Sequence, residues 1–260
     1  MGKVLAVANR KGGTGKTMTC VSLGVSLAQR GKKVLIIDAD SQHSATVSLG
    51  IAEPDKLAVT LATIMQSIIK EQEIDSMDGL ISHDEGISLL PSNNGLAGME
   101  IALVPVIGRE TVLRQYIDKV RGLFDYILID TAPILDLLAI NSLAAADSVI
   151  IPVAPKFLDA KGLELLLKSI AQTRRHINPK LAVGGILLTM VDKRANITKE
   201  IILMIKQAYG DSICIFKEPI PHSVRAVETS ATGKSIFEYD PKGKIAMAYT
   251  SLAGEVLEIA

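Results

Sequence analysis

The segment Lys11-Gly12-Gly13-Thr14-Gly15-Lys16-Thr17 decides the fold, because an apolar run precedes it and a helical pattern follows it. The apolar run, residues 4–8, predicts a buried strand, and the apolar spacing over residues 17–30 predicts a helix. Glycines between a strand and a helix let backbone N–H groups close around an anion, where a Cβ would obstruct them. The start of the helix adds unpaired N–H groups and the positive end of its dipole. The segment therefore predicts a loop that binds phosphate.

Two side chains at the end of this loop suit a nucleotide. Lys16 can reach the β- and γ-phosphates, and the Thr17 hydroxyl can ligate Mg²⁺. The common pattern G-x-x-x-x-G-K-[ST] would require glycine where this chain has Arg10, and an additional lysine, Lys11, precedes the glycines. A glycine-rich turn that binds nothing is the alternative. The order of strand, glycines, Lys-Thr and helix disfavours it.

Composition and charge limit the class of protein. The chain has 260 residues, of which 48% are apolar and 3% aromatic, which suits one large α/β domain. The formal net charge is zero, so no overall charge indicates a nucleic-acid-binding protein. Residues 1–149 carry 13 Lys and Arg against 17 Asp and Glu, whereas residues 150–260 carry 15 against 11. A surface that binds a polyanion is therefore expected mainly in the second half.

The sequence gives no indication of a disulfide-linked, secreted, membrane-spanning or metal-binding protein. The two cysteines, Cys20 and Cys214, form no CxxC pair, and a reducing cytoplasm is the expected compartment. The sequence has no signal-peptide pattern and no apolar run near the roughly 20 residues that span a bilayer. Four histidines show no metal-ligand spacing and are expected on the surface or in loops: His43, His83, His176 and His222.

Predicted strands and helices alternate along the whole chain. Beyond the first strand, strands are predicted at residues 34–37, 124–129, 148–153, 181–190 and 213–216, with a hairpin at 80–81 and 87–90. Helices are predicted at 17–30, 57–70, after 93, at 109–121, 135–146, 159–176 and 196–209, and to about residue 257. This order, without linker or repeat, predicts one α/β domain over residues 1–260. Its sheet is doubly wound, mostly parallel and flanked by helices.

Three aspartates follow predicted strands near the loop. Asp38 and Asp40 follow the second strand, and Asp130 follows the strand at 124–129. Ligands of α/β sheets bind at the carboxyl ends of parallel strands. An aspartate beside a phosphate loop is expected to hold Mg²⁺ through its waters, and another to reach an attacking water. One such aspartate alone is more often a helix cap or an ion-pair partner, but three at strand ends favour a site.

Residues 11–17, 38–42 and 129–133 together resemble the three nucleotide motifs of the ParA/Soj/MinD family, deviant-loop ATPases that position DNA or division proteins. The resemblance extends to further segments and so covers nearly the whole chain. These segments are residues 145–153, 188–194, 220–225 and 237–244. The resemblance is closer to the ParA/Soj branch than to the MinD branch, and it implies the P-loop NTPase fold with ATP and Mg²⁺ as cofactors.

The resemblance also implies roles for individual residues. The residues that it assigns to ATP are Lys11, Gly12, Gly13, Thr14, Gly15, Lys16, Thr17, Met18, Met190, Pro221 and Ser223. Those that it assigns to the metal are Thr17, Asp38 and Asp130, and those that it assigns to catalysis are Lys11, Lys16 and Asp40. Two monomers of the family sandwich two ATP molecules, so Lys11 would reach the partner's phosphates while Lys16 acts on its own nucleotide. Asp40 would position the hydrolytic water.

The family's partners are implied in the same way. They are a second copy of the chain bound in the presence of ATP, nonspecific DNA, and a ParB-like or other adaptor that stimulates slow hydrolysis. The expected location is the cytoplasm, on the nucleoid, without a membrane. Candidate contacts to DNA phosphates are Lys193, Arg194, Lys199, Lys206, Lys217, Arg225, Lys234, Lys242 and Lys244. Each of these taken singly is more often a solvated surface charge.

The chain departs from the family pattern at three places. Residues 40–44 read Asp-Ser-Gln-His-Ser, where the family commonly has Asp-Pro-Gln-Gly-Asn. Residues 221–223 read Pro-His-Ser, where many relatives have Pro-Arg-Asn with an arginine that often belongs to the DNA-contacting surface. Met18 replaces a common second threonine.

Two other classes of function remain open. A MinD-like ATPase that acts on a membrane surface would end in a basic amphipathic helix, whereas residues 253–260 are acidic. A metabolic or redox enzyme on the same loop is the other alternative. A shared iron–sulfur cluster would need suitably placed cysteines in each chain, and neither cysteine follows the Asp130 motif. The residues alone do not exclude an ATP-dependent ligase.

Overall fold

The structure is a computed structural model that describes residues 2–259, with side-chain surroundings for all of these except 157–161, 230, 231 and 259. Its strands are β1 Lys3–Val7, β2 Val34–Ala39, β3 Ile81–Ser82, β4 Ile87–Leu90, β5 Tyr126–Thr131, β6 Ser148–Val153 and β7 Ala182–Leu188. They form a seven-stranded sheet in the order β3-β4-β2-β5-β1-β6-β7. Every pair is parallel except β3 with β4, which is an antiparallel hairpin. The predicted mostly parallel sheet is confirmed.

Helices cover both faces of this sheet. They are α1 Lys16–Ala28, α2 Ser44–Ser48, α3 Leu61–Ile69, α4 Gly95–Leu103, α5 Val112–Val120, α6 Leu137–Ala145, α7 Phe157–His176, α8 Asn196–Tyr209, α9 Arg225–Thr232, α10 Ile236–Tyr239 and α11 Lys244–Ile259. Short 3-10 turns lie at Pro54–Lys56, Arg109–Thr111 and Arg121–Leu123. None of the helices in residues 2–259 is both long and apolar enough to cross a membrane.

The alternation of side chains along each strand divides the core into two layers. In β2, Leu35 and Ile37 pack with α3, α4, α5 and α6, whereas Val34 and Ile36 pack with α1, α10 and α11. All six residues of β2 are buried, because successive side chains face opposite covered surfaces. This is why the sequence of the strand is continuously apolar up to Asp38.

The position of β1 determines where a ligand can bind. The chain passes from β1 to β2 on one side of the sheet and, after β5, to β6 on the other side. A crevice opens beyond the carboxyl ends of parallel strands where the winding reverses in this way. The glycine loop follows β1 and therefore lies at this crevice.

Two local predictions are wrong, and one helix was not predicted. The helix predicted from residue 57 begins at Leu61, because Thr60 is extended and its N–H donates to the Thr63 hydroxyl in a capping box. The strand predicted at residues 213–216 is only a single bridge between Ile215 and Ile186. The helix α9, just after the Pro221 loop, was not predicted because it has only eight residues and few of them are apolar.

Two local features concern the glycines of β7 and the start of α4. The chain packs closely at Gly185, where an added Cβ would lie 2.7 Å from the ring of Phe216. Ser92 does not cap α4, since its hydroxyl donates to a distant backbone carbonyl. The Asn93 side chain accepts the N–H of Gly95 instead, at 3.1 Å.

Candidate functional site

The glycine loop between β1 and α1 forms an open cradle. Gly13 and Gly15 have φ angles of +71° and +82°, a left-handed conformation that L-residues rarely adopt. A Cβ built on Gly12 or Gly13 would meet no atom within 4 Å, so this side of the loop faces open space. The left-handed Gly15 immediately precedes α1 and directs the first N–H groups of the helix towards the same space. The loop therefore has the shape that an anion requires.

Hydrogen bonds to two neighbouring strands hold the loop in place. The backbone N–H of Lys11 donates to Asn9 Oδ1 at 3.1 Å, and Asn9 Nδ2 donates to the carbonyl of Pro152 in β6 at 2.6 Å. The Thr189 hydroxyl, just after β7, donates to the carbonyl of Thr14 at 2.8 Å. The loop is thus fixed before any ligand binds.

Lys16 lies inside the cradle. It is buried, and its Nζ donates to the carbonyl of Lys11 at 3.1 Å. Burial lowers the pKa of Lys16, while the negative charges of Asp130 and Asp40 act in the opposite direction. A buried ammonium group that is supported mainly by carboxylates is well suited to meet an anion.

Asp38 and Asp130 are direct neighbours across the sheet. They are paired in the register of β2 and β5, and both are fully buried. Residues paired in a parallel ladder face the same side, which here is the side covered by α1. The register therefore brings both carboxylates to the start of α1, next to Lys16.

The two carboxylates differ in their hydrogen bonding. Asp38 Oδ2 accepts from the N–H and the hydroxyl of Thr46, at 2.8 and 2.6 Å, and Oδ1 accepts from the N–H of Asp40 at 3.2 Å. Neither oxygen of Asp130 has a hydrogen-bond partner among the described residues. The Asp38 carboxylate is thus satisfied by hydrogen bonds within the chain, whereas the Asp130 carboxylate can still accept a bond from a ligand or a metal ion.

The pKa values of Asp38 and Asp130 are both raised, and the rise is larger for Asp130, which lacks these hydrogen bonds. Burial raises the pKa of Asp38 to about 6, although its three hydrogen bonds lower it. Burial and then the charge of Asp38 raise the pKa of Asp130 well above its ordinary value. The Thr17 hydroxyl and the Lys16 ammonium oppose this rise but do not cancel it, and Thr17 makes no hydrogen bond of ordinary geometry to the carboxylate. Asp130 therefore favours a proton or a cation in ligand-free protein.

Asp40 follows β2 and is held along its backbone. Its N–H donates to Asp38 Oδ1, and its carbonyl accepts from the Ser92 hydroxyl at 2.8 Å. Its carboxylate accepts the N–H of Gln42 at 2.9 Å. Unlike Asp38, Asp40 lies at the surface of the cleft next to the glycine loop. Its carboxylate is thus fixed at a place that ligand and water can reach.

A single cleft of about 480 Å³ joins the loop to distant parts of the chain, and we call it the loop cleft. Of the predicted ATP-site residues, it is lined by Gly12, Gly13, Gly15, Lys16, Thr17, Met18, Met190, Pro221 and Ser223. The structure thus brings residues 190, 221 and 223 to the glycine loop. Lys11 and Thr14 belong to the loop but do not line this cleft. The roles predicted for all of these residues remain predictions.

The metal predictions can be tested against the donor groups. Among the residues that the structure describes, no cluster of three or more His, Cys, Asp or Glu side chains could hold a metal ion alone. A Mg²⁺ ion held by the predicted residues Thr17, Asp38 and Asp130 would therefore also need oxygens of phosphate or water. The two unpartnered, buried oxygens of Asp130 fit such an ion, because a buried carboxylate is costly without a compensating charge.

The predicted DNA contacts fall into separate groups. Four lysines line a groove of about 330 Å³: Lys193, Lys199, Lys206 and Lys217. A larger groove of about 820 Å³, which we call the outer groove, is lined in part by Lys193, Arg194 and Lys244. The outer groove shares Pro221 and His222 with the loop cleft.

The remaining three basic residues line neither groove. Arg225 pairs with Asp240 at 2.6 Å, and Lys234 pairs with Glu238 at 2.5 Å. Lys242 is exposed and lines neither groove. The two grooves share Lys193 and together hold six of the nine predicted residues, and the outer groove is also lined by Asp192 and Glu218.

Sequence reasoning missed four residues that support the site. They are Thr46, Ser92, Thr189 and Tyr249. Tyr249 of α11 lines the loop cleft and shares a hydrogen bond of 3.1 Å with the Thr19 hydroxyl in α1. Each acts through a hydrogen bond between distant segments, and no local pattern distinguishes these residues from other buried polar side chains.

Comparison with known proteins agrees with this geometry. Residues 2–183 match the protein-family model described as an AAA domain. The chain is 40% identical over 262 residues to the sporulation initiation inhibitor protein Soj of Bacillus subtilis, covering 98% of each. It is 34% identical over 258 residues to the chromosome partitioning protein ParA of Caulobacter vibrioides, covering 98% of this chain and 94% of that protein. A solved structure named cobyrinic acid a,c-diamide synthase from Mycobacterium smegmatis, with bound ADP and magnesium, is 34% identical with a TM-score of 0.86, covering 99% of this chain and 95% of that one.

Proposed function

The chain belongs to the ParA/MinD family of ATPases, in its ParA/Soj branch, and on this premise we propose that it is a Mg-ATP-dependent ATPase that dimerises with ATP and serves DNA partition. One observation carries the proposal: the loop cleft joins the glycine loop to Met190 and Pro221 at the strand end that bears Asp40. Its volume of about 480 Å³ is in the range of small-molecule sites. A relative 34% identical is solved with ADP and magnesium and with an ATP analog and magnesium, which supports the same ligands here.

In the proposed reaction the loop and its lysine bind the phosphates of ATP. The backbone N–H groups at Gly12 and Gly13 face the phosphate chain, and Lys16 exchanges its bond to the Lys11 carbonyl for phosphate oxygens. Thr17 and Asp130 hold Mg²⁺, which when bound offsets the negative charge of the β- and γ-phosphates. The adenine extends along the cleft towards Met190 and the Pro221 loop.

Asp40 is the residue that we assign to the attacking water. It lines the cleft, and the N–H of Gln42 fixes one of its carboxylate oxygens at 2.9 Å. A carboxylate in this position orients the water and accepts its proton as the bond to phosphorus forms. Asp38 helps to fix Asp40, because its Oδ1 accepts the N–H of Asp40 while its Oδ2 is bound by Thr46.

Lys11 is the residue that we assign to the partner subunit. Its own backbone already serves the loop, since its N–H bonds to Asn9 and its carbonyl accepts from Lys16. Lys16 fills the lysine position in the chain's own phosphate site. The family resemblance assigns Lys11 to the phosphates of a second ATP when two copies face each other, where it would stabilise charge as an arginine finger does.

DNA is the proposed polyanionic partner of the ATP-bound form. Support comes from the six basic residues of the two grooves, which share Lys193, and the outer groove adjoins the loop cleft at Pro221 and His222. Nonspecific binding to DNA rests on contacts of this kind between lysine or arginine and phosphate. Association with the nucleoid in the cytoplasm, and stimulation of hydrolysis by a ParB-like adaptor, belong to the same proposal.

Phosphate release from ATP tests the enzymatic part of the proposal. Wild type should hydrolyse Mg-ATP slowly and should lose this activity in Lys16→Ala. Wild type without any ATP hydrolysis, with or without DNA, would refute the assignment. Sedimentation with anionic vesicles and ATP tests the MinD-like alternative, and binding to vesicles in place of DNA would favour that alternative.

DNA binding is tested by titration with salt. The double variant Lys199→Ala/Lys206→Ala removes two lysines of one groove, and Lys33→Ala/Lys70→Ala removes two exposed lysines of the first half as a control. We expect binding only with ATP, weakened by salt and by the first double variant alone. Equal binding by both double variants would show that the groove is not the contact.

One observation favours a second candidate, an ATP-dependent synthase. The similar structure from Mycobacterium smegmatis is named as a diamide synthase, and the outer groove of about 820 Å³ offers space for a second substrate beside the loop cleft. The two functions differ in what ADP formation requires. A synthase needs a carboxylic acid and a nitrogen donor, whereas a partition ATPase forms ADP without either and responds to DNA.

A further inference from the structure

We propose that Ser92 and Thr46 are positioning residues for ATP hydrolysis, which hold Asp40 in place through a closed ring of hydrogen bonds. The inference rests on the proposed ATPase function and concerns the same site. Neither residue lines the loop cleft, so neither touches nucleotide or water. They act through the backbone of Asp40 and through Asp38.

The first half of the ring is built on Thr46. Its hydroxyl donates to Asp38 Oδ2 at 2.6 Å, and its backbone N–H donates to the same oxygen at 2.8 Å. Asp38 Oδ1 in turn accepts the N–H of Asp40 at 3.2 Å. Thr46 thus fixes the orientation of the Asp38 carboxylate, and that carboxylate fixes the peptide group before Asp40.

Ser92 closes the ring from the other side. Its hydroxyl donates to the Asp40 carbonyl at 2.8 Å, and its N–H donates to Thr46 Oγ1 at 2.9 Å. The Thr46 hydroxyl is therefore both donor and acceptor, and it links Ser92 directly to Asp38. The peptide groups on both sides of the Asp40 Cα are held by hydrogen bonds. The Cα from which the side chain extends is therefore fixed in position.

Burial strengthens the hydrogen bonds of the ring. Ser92, Thr46 and Asp38 are all fully buried, and hydrogen bonds that involve a charged group are stronger in such surroundings. Ser92 lies just after β4, which is paired in parallel with β2. The ring thereby connects the end of one strand to the catalytic segment that follows the next strand.

The position of the ring predicts which kinetic constant changes. In the proposed complex ATP is bound by the glycine loop and by the far end of the cleft, and neither Ser92 nor Thr46 lines that cleft. Loss of the ring lets Asp40 shift, and a misplacement of about 1 Å can lower a rate about 100-fold. We expect Ser92→Ala to lower kcat by about 10-fold or more, while KM for ATP and the Kd for an ATP analogue change less than about 2-fold.

Three variants and one control test the proposal. Thr46→Val removes the hydroxyl but keeps the shape and should resemble Ser92→Ala, whereas Thr46→Ser keeps the hydroxyl and should retain most of the activity. The double variant Ser92→Ala/Thr46→Val should lose little more than either single variant, because residues of one network are not additive. Ser142→Ala removes another buried serine hydroxyl, which donates to the Leu138 carbonyl in α6, and should leave kcat unchanged.

The outcomes separate this inference from the function on which it rests. Absence of ATP hydrolysis in wild type would refute the proposed function itself. If wild type is active, normal kcat in Ser92→Ala overturns the inference. So does an equal loss in Ser142→Ala, a parallel loss of kcat and nucleotide binding, or failure of Thr46→Ser to retain activity. Thermal unfolding of each variant, measured in parallel, shows that the compared proteins are folded.

Discussion

Asp130→Asn should stabilise the ligand-free protein while weakening its response to Mg-ATP. Asp130 is fully buried, neither oxygen has a partner among the described residues, and burial together with Asp38 raises its pKa. Asparagine keeps the shape and removes the charge. The asparagine amide is also polar and unpartnered, so the substitution relieves only the excess cost of the charge, and the lost attraction to Lys16 offsets part of that; we expect a gain of about 1 kcal/mol. For a chain of this size each kcal/mol raises Tm by about 2–4 °C.

The gain should depend on pH in a defined direction. The folded pKa of Asp130 is raised, so its carboxyl group contributes stability at low pH that is lost as pH rises through the folded value. The unfolded carboxyl group ionises near pH 3.9, so the difference between Asp130→Asn and wild type begins there and grows as pH rises. We therefore expect a larger difference in Tm at pH 8 than at pH 5.

Thermal unfolding with and without Mg-ATP measures both effects. Asp118→Asn, at an exposed position of α5, is the control and should change stability by less than about 0.5 kcal/mol. Saturating Mg-ATP should raise the Tm of wild type and of Asp118→Asn more than that of Asp130→Asn. A destabilised Asp130→Asn, a pH-independent difference, or an undiminished response to Mg-ATP would refute the reasoning about this carboxylate.

Three further substitutions test local features by denaturant unfolding. Tyr116→Phe should be neutral or stabilising by up to about 1 kcal/mol, because the buried Tyr116 hydroxyl has no partner among the described residues; a clear loss would reveal a bond that it makes. His43→Gly should stabilise by about 0.5–1 kcal/mol and His43→Ala should not, since His43 has a φ of +45°; equal effects would contradict this. Gly24→Ala should cost about 1–3 kcal/mol, because the new Cβ would lie 2.9 Å from Ile36 Cδ1, and an unchanged midpoint would show that the core yields there.

The sequence predicts those parts of the fold that depend on local patterns. The run Val34 to Ile37 is continuously apolar because both faces of β2 are covered, so its prediction as a buried strand is confirmed. The helix at residues 196–209 is confirmed to the residue, since its apolar spacing is regular. The glycine loop is confirmed as a strand-to-helix turn because its glycines permit positive φ angles.

The remainder could not be read from the sequence, because it depends on contacts between distant segments. The helix at 57–70 was extended too far, since residues 57–59 continue an apolar pattern that only the cap at Thr60 interrupts. The ring through Thr46 and Ser92 joins residues 46 positions apart. The role that Asp38 and Asp130 are predicted to share at Mg²⁺ stays a prediction, and the difference in their hydrogen bonding becomes visible only in the structure.

The molecular mass in solution with Mg-ATP tests the proposed ATP-bound dimer most directly. Light scattering after size exclusion would compare wild type, Asp40→Ala and Lys11→Ala/Asp40→Ala, each with and without nucleotide. We expect Asp40→Ala to be monomeric alone and dimeric with saturating Mg-ATP. Without Asp40 the bound ATP is not hydrolysed, so the dimer does not dissociate. The double variant should remain monomeric, since it lacks the lysine that reaches the partner's phosphates. A monomeric Asp40→Ala under saturating Mg-ATP, or a dimer that forms equally well without Lys11, would contradict the proposed mechanism.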